Sequence, residues 1–281
     1  MRVVSSIDEM QSLSREFCRQ GKTIGLVPTM GYLHEGHLSL IDLIKEKSDF
    51  TILSIFVNPT QFGIGEDLKK YPRDLNRDLE LCKEREVDLV FAPEDSEMYP
   101  SEYSTFVKEE DVGAGLCGVS RPTHFQGVTT VCAKLFNLCN PDFVALGQKD
   151  AQQVVVLKRM IRDLGFPIEV LVGPIVREPD GLAMSSRNQY LDTRQREAAL
   201  VLYESMQAGL EIVEERGARN TERVKAEVMS ILTNNSVIRV NYVEIVDRST
   251  MRPEREVQPG RSLIVVAGWL NEVRLIDNLA L

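Results

Sequence analysis

Two of the three histidines in the chain lie three residues apart, where residues 34–37 read His-Glu-Gly-His. A short apolar run and a Pro-Thr-Met-Gly turn precede them, and a helix is predicted to begin near His37. The first backbone N–H groups of a helix and its positive dipole end suit a phosphate. Two imidazoles beside them could donate hydrogen bonds to phosphate oxygens.

The same pair could also be incidental or ligate a metal, and the spacing alone leaves these interpretations open. A zinc ion needs three or four ligands, and no Cys, Asp or third His lies at metal spacing nearby. The His-Glu-x-x-His spacing of metalloproteases is also absent. The residues around the pair therefore favour phosphate over metal.

Two further polar clusters follow predicted strands. Asn58 and Gln61 carry amides that both donate and accept hydrogen bonds, which suits hydroxyl and carboxylate recognition; the alternative is a capped turn. In the second cluster, Gly147 permits close backbone approach and Lys149 brings a charge suited to phosphate. Asp150 could instead cap the helix that follows.

Two loops complete the set of candidate residues. Residues 176–188 contain two serines and an arginine that could close over a polyphosphate as a mobile loop, although a polar interdomain linker would read similarly. Residues 121–127 contain Arg121 and His124, which either reach over the site or hold a structural ion pair.

The elements that must position these residues alternate between strand and helix. Predicted strands are residues 23–27, 51–57, 88–91, 142–146 and 168–172; predicted helices are residues 1–22, 38–47, 73–86, 124–139 and 150–164, with a loop at 93–100. Such alternation indicates a parallel sheet covered on both faces, and ligands of such sheets bind beyond the carboxyl ends of the strands. The polar clusters that follow strands are therefore predicted to share one site.

The pattern changes after about residue 187. Residues 193–217 predict one long helix, residues 221–232 a second helix, and residues 239–247, 261–267 and 272–277 three strands. We therefore predict an α/β fold: a Rossmann-like parallel sheet with helices on both faces, plus a smaller C-terminal α+β domain. The predicted domain boundaries are residues 1–176 for the sheet domain and residues 177–281 for the α+β domain.

Composition restricts the functional classes. The net charge of −9 and a pI near 5.1 argue against a general nucleic-acid binder. No apolar run is long enough to span a membrane, and the N-terminus lacks a signal-peptide core. Five cysteines without a Cys-x-x-Cys pair favour a reducing cytoplasm.

Six ordered motifs carry a resemblance to a known family. They are PTMGYLHEGHLSLI, FVNPTQFG, YPRDLNRDLE, RPTHFQGVTTV, ALGQKDAQQ and LAMSSRN. With them the chain closely resembles the pantoate–β-alanine ligases (pantothenate synthetases), nucleotidyltransferases related to class I aminoacyl-tRNA synthetases. Residues 34–37 resemble the HIGH signature of that superfamily, and residues 184–187 stand where its KMSKS loop would be. The KMSKS lysines are absent, so Arg187 would supply the phosphate-binding charge.

The resemblance implies ATP-dependent condensation of (R)-pantoate with β-alanine to pantothenate, through pantoyl adenylate, with release of AMP and pyrophosphate. It implies ATP as co-substrate, Mg²⁺, a cytoplasmic homodimer, and no nucleic-acid or membrane partner. Alternatives are a different nucleotidyltransferase or a non-catalytic nucleotide-binding module. The acidic charge and the lack of an anticodon-binding domain disfavour a tRNA synthetase, and the complete motif set disfavours the non-catalytic module.

The resemblance implies that residues 1–176 bind nucleotide and pantoate and that residues 177–281 form a lid, which begins with the phosphate-binding loop 184–188. It also assigns site residues by motif. Catalytic roles fall to His34, His37, Lys149, Ser185, Ser186 and Arg187. ATP would contact Pro28, Met30, His34, His37, Gly147, Lys149, Asp150, Val176, Met184, Ser185, Ser186 and Arg187. Pantoate would contact Gln61, Gln153, Asn58 and Met30, and Gln61 would also border β-alanine. Arg121 and His124 are additional candidates, and Asp78 is a candidate outer Mg²⁺ contact, most of the Mg²⁺ ligands being ATP phosphates. His34 would either donate a proton or stabilise charge.

Overall fold

A computed structural model describes all 281 residues of the chain and divides into two compact units. The first unit comprises residues 1–148 and 156–174, and the second comprises residues 149–155 and 175–281. The second unit therefore includes a short segment that lies between two strands of the first unit in sequence. The functional roles predicted for the two domains stay predictions.

The first unit contains a six-stranded parallel sheet in the order β1-β4-β3-β2-β5-β6. Its strands are β1 (Arg2–Val4), β2 (Ile24–Thr29), β3 (Phe50–Ile55), β4 (Leu89–Phe91), β5 (Phe143–Gly147) and β6 (Glu169–Gly173). The central strands are continuous apolar runs, as expected of strands buried on both faces. The predicted Rossmann-like α/β sheet is confirmed.

Seven helices accompany this sheet in sequence. They are α1 (Ile7–Arg19), α2 (Glu35–Lys45), α3 (Leu75–Glu84), α4 (Asp95–Met98), α5 (Cys117–Ser120), α6 (His124–Cys139) and α7 (Ala151–Asp163). The short helix α4 falls in residues 93–100, which were predicted to be a loop throughout. That prediction was wrong for one helical turn.

The prediction of a single helix over residues 1–22 was also wrong. Arg2–Val4 forms the edge strand β1, in which Val3 pairs with Val90, and α1 begins only at Ile7. Consecutive β-branched valines favour an extended strand when a partner strand is available, and that partner is 87 residues away in sequence. Local sequence therefore could not reveal the pairing.

Helix α2 packs closely against the sheet because two strand residues that face it are glycines. A Cβ atom on Gly25 would come within 2.6 Å of Ile44 Cγ1, and a Cβ on Gly173 would collide with Leu40. Leu40 and Ile44 are buried side chains of α2. Close packing fixes the first turn of α2 just beyond the carboxyl end of β2, which ends at Thr29.

The second unit contains three helices followed by an antiparallel sheet. The helices are α8 (Thr193–Ala198), α9 (Val201–Glu214) and α10 (Thr221–Thr233), and the strands β7 (Ile238–Asp247), β8 (Ser262–Leu270) and β9 (Val273–Ala280) pair in that order. The predicted α+β character is confirmed. No helix of the chain combines the length and the apolar character needed to cross a membrane.

The long helix predicted over residues 193–217 is divided into α8 and α9. The junction tightens because Leu202 N donates to Ala199 O at 3.2 Å and Tyr203 N donates to Leu200 O at 3.0 Å, three residues back rather than four. Ala199 and Leu200 keep helical backbone angles, which is why the sequence pattern runs through the break.

Candidate active site

The histidine pair forms the start of α2. Gly36 N donates to His34 Nδ1 at 3.1 Å, His34 N donates to His37 Nδ1 at 3.4 Å, and the ring centroids are 4.1 Å apart. Each Nδ1 is an acceptor of a backbone N–H, so the neutral rings carry their protons on Nε2. The pair can therefore donate from Nε2 to an anion, while no group of three or more His, Cys, Asp or Glu that could hold a metal is present.

The loop between β2 and α2 is anchored by Asp78 of α3. One carboxylate oxygen accepts from Tyr32 N at 2.7 Å and the other from Leu33 N at 2.8 Å. Asp78 is 1% exposed, and burial raises the pKa of its carboxyl group. Gly31, at φ +79°, leaves room for this carboxylate, because a Cβ there would lie 2.9 Å from Asp78 Oδ2. The sequence suggested a metal contact for Asp78 and did not anticipate this anchoring role.

A second group of side chains, here called the amide cluster, consists of Asn58, Thr60, Gln61 and Tyr99. Asn58 Oδ1 accepts from Tyr99 Oη at 2.8 Å and Thr60 Oγ1 at 2.9 Å, while Asn58 Nδ2 donates to Gln61 Oε1 at 3.1 Å. Gln61 Nε2 lies 2.9 Å from the sulfur of Met30. The cluster and its neighbour Met30 thus bring together three residues predicted to bind pantoate. Asn58 is 1% exposed.

Arg121 and His124 hold the backbone of the same region. Arg121 donates through Nε and Nη2 to the two carboxylate oxygens of Glu66 at 2.7 and 2.6 Å. His124 Nδ1 lies 3.0 Å from Gln61 O. Partial burial opposes ionisation of Glu66, but the Arg121 hydrogen bond and charge prevail and lower its pKa. In this structure Arg121 makes the ion pair that the sequence left as one of two alternatives.

Helix α6 makes room for the amide cluster at Gly127. A Cβ atom there would lie 2.5 Å from Gln61 N and 2.6 Å from Thr60 C, both of them backbone atoms. The carbonyl of Gly127 also accepts from Asn58 Nδ2 at 3.0 Å. A glycine is therefore required for α6 and the turn at Pro59–Gln61 to approach so closely.

The remaining predicted residues belong to the second unit. Lys149 and Asp150 end a short 3-10 turn before α7, and Lys149 Nζ lies 3.8 Å from Asp150 Oδ1. Asn278 Nδ2 donates to Lys149 O at 3.1 Å, which ties this turn to β9. Gln153 follows in the first turn of α7.

Loop 176–188 is held by a set of contacts here called the loop base: Arg177, Asp277 and Gly181. Arg177 donates to both carboxylate oxygens of Asp277, at 2.6 and 2.9 Å, and to Gly181 O at 3.0 Å. Asp277 is 4% exposed. No local sequence pattern marks this pair, because its members are 100 residues apart.

The tip of that loop carries the predicted phosphate-binding residues. Met184 N donates to Val176 O at 3.0 Å and closes the turn. Ser185 Oγ accepts from Arg187 N at 3.3 Å and caps a 3-10 turn that begins at the buried Ser186. The predicted residues thus fall into two sets, since Pro28, Met30, His34, His37, Asn58, Gln61, Asp78, Arg121, His124 and Gly147 lie in the first unit and the others in the second.

Comparison with known proteins gives one consistent result. The family model of pantoate-beta-alanine ligase matches residues 2–280. Pantothenate synthetases from Pseudothermotoga lettingae and Thermosipho africanus are 52% and 50% identical over 281 and 279 residues. These alignments cover 100% and 99% of this chain, and 99% of each relative.

Solved structures agree with the sequence relatives. A pantothenate synthetase from Thermus thermophilus is 44% identical, with a TM-score of 0.94 over 100% of this chain and 99% of that one. A pantoate-beta-alanine ligase from Francisella tularensis, complexed with beta-gamma ATP and beta-alanine, is 32% identical, with a TM-score of 0.82 over 100% and 97%. The chain belongs to the pantoate–β-alanine ligase family.

Proposed function

We propose that this chain condenses (R)-pantoate with β-alanine to pantothenate, using ATP and releasing AMP and pyrophosphate. The observation that carries the proposal is the family match over residues 2–280. Support also comes from the position of the histidine pair at a helix start, where backbone N–H groups and the helix dipole favour a phosphate. A relative of known structure is complexed with beta-gamma ATP and beta-alanine.

The reaction divides into two displacements. A carboxylate oxygen of pantoate attacks the α-phosphorus of ATP, the bond to the bridging oxygen breaks, and pyrophosphate leaves with that electron pair. The amine of β-alanine then attacks the acyl carbon of pantoyl adenylate, loses a proton, and expels AMP. Neither step needs a covalent bond to the protein, so positioning and electrostatic stabilisation supply the catalysis.

In the first unit, the proposed roles follow from the donors described above. His34 and His37 donate from Nε2 to ATP phosphate oxygens, and His34 either donates a proton or stabilises developing charge. Gln61 binds pantoate through its amide and borders β-alanine. Met30 lies beside that amide, with its sulfur 2.9 Å from Gln61 Nε2.

In the second unit, the roles rest on motif position within the family. Lys149 stabilises phosphate charge, Asp150 contacts the ribose, and Gln153 contacts pantoate. Val176 contacts adenine through its backbone. Residues 184–187 close over the β- and γ-phosphates, with Arg187 supplying positive charge.

Mg²⁺ is proposed to arrive as part of the substrate MgATP. The chain contains no cluster of three or more ligands that would fit a resident metal, and both carboxylate oxygens of Asp78 accept from backbone N–H groups. Magnesium would neutralise the polyphosphate and assist departure of pyrophosphate. A cytoplasmic homodimer is proposed on family resemblance, and the five free thiols suit a reducing compartment.

Pantoate-dependent exchange of labelled pyrophosphate into ATP tests the proposal. The protein is incubated with ATP, Mg²⁺, pyrophosphate and pantoate, without β-alanine. Exchange is expected only when pantoate is present, because adenylation precedes amide formation. Exchange with another acid but not with pantoate would refute the substrate assignment. An aminoacyl adenylate would favour a different nucleotidyltransferase, and ATP binding without AMP release, with both substrates supplied, would favour a non-catalytic module.

A further inference from the structure

The buried amide of Asn58 lies between two backbone groups whose hydrogen-bonding roles cannot change. Thr60 N, an obligatory donor, lies 3.3 Å from Asn58 Oδ1, and Gly127 O, an obligatory acceptor, lies 3.0 Å from Asn58 Nδ2. A flipped amide would face donor to donor at one end and acceptor to acceptor at the other. The orientation of this amide is therefore set by the backbone rather than by choice of rotamer.

The fixed orientation of the Asn58 amide in turn fixes the orientation of the Gln61 amide. The second hydrogen of Asn58 Nδ2 is donated to Gln61 Oε1 at 3.1 Å, so that oxygen is already used as an acceptor. Gln61 Nε2 then points the other way and lies 2.9 Å from the sulfur of Met30, a weak acceptor. Gln61 thus presents an N–H donor that a carboxylate or hydroxyl oxygen would satisfy far better than a thioether.

Asn58 Oδ1 accepts hydrogen bonds from two groups of Thr60 and from Tyr99, which is distant from Asn58 in sequence. The Tyr99 hydroxyl is 2.8 Å from that oxygen, the shortest of the three donors, and 3.3 Å from Thr60 Oγ1. Burial raises the pKa of Tyr99 to about 12, so the hydroxyl keeps its proton at neutral pH. The ring stacks edge-on against Tyr103 with centroids 4.9 Å apart.

We propose that Asn58 and Tyr99 are positioning residues that act through Gln61. They hold the Gln61 amide with its NH₂ group presented, and this makes the site select an acid over its uncharged amide. Asn58 is 1% exposed, so we assign it this indirect role in place of the direct pantoate contact that its motif position suggested. The inference rests on the proposed function, because it names the chemical basis on which the pantoate site recognises its substrate.

Three variants test the proposal. Asn58→Asp keeps the acceptor for Tyr99 and Thr60 but removes both N–H donors, so Gln61 is expected to turn its Oε1 outward. Tyr99→Phe removes one donor and keeps the ring. Tyr103→Phe is the matched control, because it removes the hydroxyl of the neighbouring aromatic ring and leaves the donors to Asn58 unchanged. Each is assayed for KM of pantoate, KM of ATP and inhibition by pantoamide, the neutral primary amide of pantoate.

Asn58→Asp is expected to raise the pantoate KM about a hundredfold and Tyr99→Phe about three- to tenfold, the range expected when polar groups that fix a substrate contact are lost. The ATP KM should stay within about threefold, as for a residue outside the ATP contacts. Binding of pantoamide relative to pantoate should rise in both variants, which a merely structural role would not produce. Tyr103→Phe should match wild type.

Distinct results separate the possible failures. Absence of pantoate-dependent exchange in the wild type would overturn the proposed function itself. Normal wild-type exchange together with an unchanged pantoate KM in Tyr99→Phe and Asn58→Asp would overturn the positioning role alone. Equal rises in both substrate KM values, with no change in the ratio of pantoamide to pantoate binding, would also overturn it. If Asn58→Asp fails to fold, Tyr99→Phe decides.

Discussion

The amide cluster of the first unit and the loop base of the second hold polar loops in different ways. The amide cluster uses neutral groups, in which Asn58 joins backbone donors and acceptors to Gln61. The loop base uses a buried bidentate ion pair between Arg177 and Asp277. Neutral amides transmit the direction of hydrogen bonding, whereas a buried charge pair fixes a loop firmly and is costly to break.

This difference predicts different consequences of mutation. Damage to the amide cluster should change what the protein recognises while leaving it folded. Damage to the loop base should first reduce stability. The chemistry proposed for each unit follows the same division. The proposed role of the neutral Gln61 amide is to bind the acid, and that of Lys149 is to stabilise phosphate charge as it shifts during the reaction.

The largest expected effect is that of Asp277→Asn. The variant leaves the Arg177 guanidinium, whose side chain is 17% exposed, without its buried charged partner. Loss of one partner of a buried ion pair costs about 3–5 kcal/mol of the free energy of unfolding. Denaturant unfolding of the full chain measures the loss. Asp180→Asn is the control, because Asp180 pairs with Arg196 at 2.8 Å where both side chains are exposed by 30% or more, and surface pairs contribute about 0–1 kcal/mol. If both variants lost the same free energy of unfolding, the ion pair of the loop base would be no more stabilising than a surface ion pair.

Lys149→Ala tests the role of charge in the second unit. We expect the rate of pantoate-dependent pyrophosphate exchange to fall about 10²–10³-fold, as when one stabilising donor is removed from a reacting oxyanion. Pantoate binding should change little, because the lysine charge matters most as phosphate charge redistributes. Lys158→Ala, at an exposed position of α7, is the control. Comparable losses in pantoate binding and rate would contradict the assigned role.

Gln61→Ala tests recognition in the first unit. The apparent KM for pantoate should rise about tenfold or more, the equivalent of one hydrogen bond to a charged acceptor. The KM for ATP serves as the internal control and should be nearly unchanged. An effect confined to ATP would show that Gln61 belongs to the nucleotide site, and the amide cluster would then have no part in reading the acid.

The smallest expected effect concerns pH. Hydrogen bonds from Ser249, opposed by burial and reinforced by Arg261, lower the pKa of Asp247 in the second unit. The folded pKa is below the unfolded value of about 4. The carboxylate therefore stabilises the fold above about pH 4, and this stabilisation is lost as pH falls through the folded pKa.

Asp247→Asn should accordingly reduce the free energy of unfolding by about 1–3 kcal/mol at pH 7. The difference in the free energy of unfolding between wild type and the variant should be smaller at pH 3, and urea unfolding at the two pH values measures it. A difference that does not change with pH would contradict the lowered pKa of Asp247. The amide cluster itself contains no group that titrates in this range.

Much of the fold could be predicted from the sequence because its elements have strong local patterns. Alternating apolar strands and amphipathic helices indicated the parallel sheet and the α+β second unit, both of which are confirmed. The edge strand β1 was missed because its pairing with β4 is non-local. The break between α8 and α9 was missed because helical backbone angles continue across it.

The sequence could single out candidate site residues only where they lie together within one segment. His34 and His37 lie three residues apart, and so do Asn58 and Gln61. Such short spacings can be recognised in the sequence. The side chains that hold these segments were not predicted. Asp78 is 45 residues from Leu33, and Tyr99 is 41 residues from Asn58. Only the folded chain brings such partners together, and no spacing rule connects them.

Helix α2 begins with an unusual capping residue, His34. Helix starts are stabilised best by Ser, Thr, Asp or Asn, yet here an imidazole accepts from Gly36 N. A Ser, Thr or Asp cap would secure the helix but would carry no N–H donor on its far side. With the role proposed for His34, the histidine turn is a compromise in which a local gain in stability is forgone for an N–H donor, and stabilising designs for this enzyme should leave that cap unchanged.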